Sequence, residues 1–69
     1  MSADNYLAII KVKNKYLAYD LSASYDYSKE EIEKLKPVFK ANSLKEAVKK
    51  AEEYCSKEIV EYGIRFLGI

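Results

Sequence analysis

Ser43-Leu44-Lys45-Glu46-Ala47-Val48-Lys49-Lys50-Ala51-Glu52-Glu53-Tyr54-Cys55 is the stretch from which the rest of the chain can be placed. Ser43 followed three residues on by Glu46 is a capping-box signature, in which the serine oxygen accepts from the Glu46 amide and the Glu46 carboxylate from the Ser43 amide. Leu44, Ala47, Val48, Ala51, Tyr54 and Cys55 then recur at steps of three and four, so the helix carries one apolar stripe and one charged face. That stripe has to lie on something, and the flanking segments alternate as strands do.

Upstream, Tyr6, Ala8, Ile10 and Val12 share one side of a strand and Leu7, Ile9, Lys11 and Lys13 the other. A two-residue loop at Asn14-Lys15 would pair Lys13 with Tyr16, Val12 with Leu17, Ile10 with Tyr19, Ala8 with Leu21 and Tyr6 with Ala23. Like then meets like on one apolar face, and the reverse face is mixed. The second strand alternates on through Tyr25 and Tyr27, which at about 3.3 Å per residue is about 40 Å, so a bend is expected near Ser22-Ala23-Ser24. Ser28 with Glu31 repeats the capping box, and Ile32 and Leu35 mark a helix of about two turns before Pro37. Val38-Phe39-Lys40-Ala41 reads as a short strand. The Ser43 helix either continues through Ile59 to Tyr62 with Gly63 as a left-handed stop or ends near Lys57, with fraying expected between 57 and 62. Ile64 to Ile69 forms the last strand, with Ile64, Phe66 and Gly68 on one side. The expected fold is α+β, one domain over 1–69, with the order β-β-α-β-α-β and a single sheet carrying two helices packed on one face.

A chain of 69 residues buries only roughly 60% of the surface its unfolded form exposes, so a modest core is expected. Twelve basic and eleven acidic side chains leave a net charge of +1, without general attraction to nucleic acid or anionic membranes. With no His and one Cys, the chain by itself lacks the parts of a disulfide, a Cys/His zinc site or a His-based triad. No catalytic, metal or cofactor site is expected. No run is apolar and long enough to span a membrane, and the N-terminus lacks a signal peptide's basic and apolar regions, so a cytoplasmic protein is expected.

Among groups that could carry chemistry, Asp20 and Asp26 lie on the same side of the second strand. Six residues of strand is about 20 Å, which favours solvated charges over a paired-carboxylate site. Cys55 falls on the apolar stripe as a small core residue. Lys45, Lys49, Lys50 and Lys57 are interleaved with Glu46, Glu52 and Glu53, the pattern of a solvated helix face.

The compositional outlier is the tyrosine content, seven residues. Tyr pairs an apolar ring with a hydroxyl that stays wet, which suits protein interfaces as well as the edges of a small core. The mixed sheet face holds Leu7, Ile9, Lys11, Tyr16 and Ala18. Together with Tyr25 and Tyr27 it is the expected partner or dimer interface, most simply a twofold homodimer formed by this face or by edge strands. On that expectation Ile9→Lys weakens the dimer and spares the fold, while Leu44→Ala and Val48→Ala cost about 2–4 and 1–3 kcal/mol as buried truncations. The competing function is single-strand nucleic-acid binding by Tyr16 with Lys11, Lys13 and Lys15.

The tight hairpin, a third strand, and Phe39-Lys40-Ala41-Asn42-Ser43-Leu44-Lys45-Glu46-Ala47 opening an Ala-punctuated helix resemble the HicB-type antitoxin domain. That family runs a strand into a Thr/Ser-Leu-x-Glu-Ala helix start on a reduced ribonuclease-H-like α/β fold. The chain lacks the family's Pro-Asp-Leu-Pro-Gly-like turn after the second strand, and Ser22 to Pro37 reads as an insertion with its own helix. The resemblance implies a non-catalytic, self-associating protein that binds a protein partner, typically a small RNA-cleaving toxin. A phage-type inhibitor of a host enzyme is the same kind of function.

Overall fold

The computed structural model describes residues 4–67. In chain order the elements are β1 (Asn5–Val12), β2 (Lys15–Ser22), α1 (Lys29–Lys34), β3 (Phe39–Ala41), α2 (Leu44–Lys57) and β4 (Ile64–Leu67). They form one four-stranded mixed sheet in the order β3-β2-β1-β4, with β1 antiparallel to β2 and parallel to β4, and β2 antiparallel to β3. The α+β class and the expected element order are found. Gly68 and Ile69, assigned from the sequence to the last strand, lie outside the described residues.

The hairpin register differs from expectation by two residues. Val12 pairs with Lys15, Ile10 with Leu17, Ala8 with Tyr19 and Tyr6 with Leu21, so the loop is Lys13-Asn14. Lys13 takes the left-handed conformation there, at φ 58°. A slip of two preserves which side chains share a face, so the apolar alternation satisfies both registers equally. The strand ends at Ser22, where the bend was expected, and the Ala23 amide donates to the Asp4 carbonyl at 2.8 Å.

A larger correction concerns the helices, which lie on opposite faces of the sheet. Leu7, Ile9 and Ala18 pack with Ala41 and with Ala47 and Ala51 of α2. Ala8, Ile10, Tyr19 and Leu21, which point the other way, pack with Ile32 of α1. The physical reason is visible in β1, whose Leu7-Ala8-Ile9-Ile10 run is buried at every position. A strand buried at consecutive residues is covered on both faces.

The α2 side closes tightly because its contact residues are small. Alanines at 18, 41, 47 and 51 let the helix axis approach the sheet, leaving Leu7 and Ile9 to fill the layer at no more than 1% exposure. The Ser43 hydroxyl accepts from the Glu46 amide at 3.1 Å. The Glu46 carboxylate turns to Lys50, 3.3 Å away, so the reciprocal half of the expected box is replaced by an ion pair one turn on. The full box forms at α1, where Ser28 and Glu31 cap each other at 3.1 and 3.0 Å. After α2 stops at Lys57, Gly63 reverses the chain at φ 74°, with the Tyr62 amide on the Asn5 carbonyl and the Leu7 amide on the Gly63 carbonyl.

Candidate functional site

Leu7, Ile9 and Ala18 are core, sealed beneath α2, and cannot form the exposed interface expected of them. They read as a mixed face because Lys11 and Asp20 share their side of the strands, but those charges lie towards the ends of the layer and the aliphatic middle is covered. Lys11 and Tyr16 are cross-strand partners near the hairpin loop, with the Lys11 Nζ 5.9 Å from the Tyr16 ring centroid. Tyr16 packs on the α2 core cluster.

Tyr25 and Tyr27 hold α1 in place. Their rings meet edge to face at 4.7 Å, the Tyr27 hydroxyl accepts from the Ser22 amide at 3.1 Å, and the Tyr25 hydroxyl donates to the Glu31 carboxylate. That bond and the Ser28 amide hold Glu31 below the usual carboxylate range, and the same bond pushes the Tyr25 phenol up.

Asp20 has both carboxylate oxygens in structural bonds. It accepts from Asn5 Nδ2 at 2.8 Å and from the Tyr54 hydroxyl at 2.7 Å. Asn5 Nδ2 also donates to the Ile59 carbonyl, and Asn5 Oδ1 accepts from the Glu61 amide. Strand β1, strand β2, helix α2 and the loop after it are thereby tied at one point. Burial, then the bond to Asp20, pushes the Tyr54 phenol up to about 12, and burial first, then Asp20, raises the Cys55 thiol. A raised thiol is a poor nucleophile at neutral pH. Asp26 is exposed and joins no such cluster, and among the described residues no group of three or more His, Cys, Asp or Glu is placed to hold a metal ion.

An opening in the molecule lies on the α1 face, at the hairpin end. Helix α1 has only six residues and buries only Ile32. A groove of about 620 Å³ remains there. Its floor is apolar, made by Val12 and Leu17 of the hairpin with Leu35 and Pro37 of the segment after α1. Lys13, Lys15 and Lys40 border it, with Glu33 as its acid. A recess of about 290 Å³ on the other side of Glu33 shares Val12, Lys13 and Tyr19 and adds Lys11 and Lys29. Lys11, Lys13 and Lys15 were singled out in the sequence for nucleic acid. Leu35, Pro37 and Lys40 were missed as site residues, and their signal is the Pro37 stop, which leaves Leu35 without a further helical turn to cover it.

No family model matches the chain, and no similar curated protein or solved structure is found.

Proposed function

We propose that this chain is a small non-catalytic protein-binding module, of the antitoxin or phage-type inhibitor kind, that works in the cytoplasm by seating part of a partner protein in the groove at the hairpin end. The observation that carries it is the groove itself, lined by the aliphatic side chains of Val12, Leu17 and Leu35 and left open at the hairpin end of the α1 face. An apolar surface kept open on a small domain marks a place of contact. The HicB-like reading draws support from the tight hairpin and from β3 running into the Ser43-capped helix with Leu44, Glu46 and Ala47 at its start.

The test is affinity capture from the native host with the wild-type chain and with a Lys13→Glu/Lys15→Glu variant, whose substituted positions are exposed. A protein retained by the wild type and lost by the variant supports the function. Retention of nucleic acid alone, released steeply by added salt, supports the second reading, single-strand binding by Lys11, Lys13, Lys15 and Tyr16.

For self-association the mixed face is closed. A twofold pair would instead use the β4 edge, where Ile64 and Phe66 are exposed, as Leu44 and Val48 are on α2. Phe66→Asp should then shift sedimentation towards monomer, and a wild type that is monomeric at all concentrations removes the dimer.

A further inference from the structure

We infer that the occupant of the groove is an extended acidic segment of polypeptide with an aliphatic side chain set between its carboxylates, a statement that rests on the protein-binding function above. The chain as a whole is nearly neutral at +1, so the grouping of Lys13, Lys15 and Lys40 around the groove, continued by Lys29 at the adjoining recess, is a local field. Glu33 alone opposes it there. The ion pair found among the described residues, Lys50 with Glu46, is on α2, so the lysines around the groove are not neutralised by bridges of their own. Positive rims of this kind select and orient an anionic partner.

Shape narrows the class further. The groove and recess adjoin, sharing Val12, Lys13, Tyr19 and Glu33, and two neighbouring hollows suit a chain rather than a compact ion. Its floor is aliphatic and asks for an apolar anchor. Single-stranded nucleic acid needs exposed rings on which bases stack. The aromatic residue at this floor, Tyr19, is 6% exposed, and Tyr16 lies on the opposite face.

The test is an NMR titration of the whole chain with four probes: a short peptide alternating aspartate with leucine and valine, its lysine-for-aspartate counterpart, its serine-for-leucine-and-valine counterpart, and an oligothymidylate. The aspartate peptide should shift amides around Val12, Leu17 and Leu35 and bind at least about tenfold more tightly than each of the others. Lys13→Glu/Lys15→Glu should weaken it by about tenfold or more, and Val12→Ser by a smaller factor, both with unfolding midpoints near wild type. Equal binding of the lysine or serine counterpart, shifts located on the α2 face, or tighter binding of oligothymidylate each overturns the inference. If no peptide binds while a protein is still captured through Lys13 and Lys15, the acidic class falls and the protein-binding function stands. If capture fails as well, both fall.

Discussion

On the α2 side of the sheet, Leu7, Ile9 and Ala18 are at most 1% exposed, and the helix above them runs for 14 residues. On the α1 side the same two strands bury Ala8, Ile10, Tyr19 and Leu21, but the helix has six residues and Val12 is left 45% exposed. Both helices begin with a serine cap, so initiation does not separate them. Termination does: Pro37 follows Lys34 closely, whereas nothing interrupts α2 until Lys57. The layer between α2 and the β1–β2 hairpin is therefore closed, whereas the α1 side leaves a groove at the hairpin end; towards β4 the α2 side also carries exposed Ile64 and Phe66.

The sharpest way to break this contrast is a charge on the closed face. Ile9→Lys should destabilise the fold by about 3–5 kcal/mol, because an unpaired charge is left in a sealed layer. Denaturation close to wild type would mean that α2 does not cover Ile9. Leu7→Ala should cost about 3–5 kcal/mol as a cavity in the same layer. On the other face Ile32→Ala should cost less, about 2–3 kcal/mol, since a two-turn helix can resettle over the gap. Its loss should show first as exposure of α1.

Tyr54 tests the tie between the strands and α2. The fold favours its neutral phenol, which donates to Asp20, and moves its pKa from 10.0 to about 12. The stability this gives is complete below pH 10 and is lost as pH rises towards about 12. Tyr54→Phe should lower stability at neutral pH by about 0.5–1.5 kcal/mol and make the alkaline loss shallower, measured by chemical denaturation across that range. An unchanged alkaline slope would assign the loss to other groups.

The smallest effects belong to Leu44 and Val48. At 51% and 38% exposed they sit on the flank of α2 away from β3 and are only partly covered, so Leu44→Ala and Val48→Ala should each cost under about 1 kcal/mol. This corrects the larger losses that their place on the apolar stripe suggests. The stripe marks which side of α2 is apolar, but how much of it is covered depends on where the helix crosses the sheet. Lys50 donates to the Lys40 carbonyl at 2.8 Å, which puts that flank of α2 over β3 and leaves Leu44 and Val48 on the other.

The same distinction explains what could be read from the residues. Serine caps, Pro37, Gly63 and the alternation of β1 and β2 are local signals, and they locate the elements to within a residue or two. Register and layering are not local. A two-residue slip leaves every side chain on its own face, so Asn14-Lys15 and Lys13-Asn14 loops were equally consistent with the pattern. The unbroken Leu7-Ala8-Ile9-Ile10 run did hold the layering, since consecutive buried residues require cover on both sides. The alternation of polar and apolar residues further along both strands masks it, and with it the burial of Leu7, Ile9 and Ala18. The groove was half legible, through Lys11, Lys13 and Lys15. Its floor depends on Leu17 and Leu35 meeting across the fold.

The most direct test of the unequal faces is native-state amide hydrogen exchange, followed residue by residue at low denaturant. Amides of Ala51 to Cys55 in α2, and of Leu7 and Ile9 in β1, should exchange only through global unfolding, with a strong denaturant dependence. Amides of Ile32 and Leu35 in and after α1 should exchange through local opening that barely depends on denaturant. Equal opening free energies for the two helices, both matching global unfolding, would contradict the account.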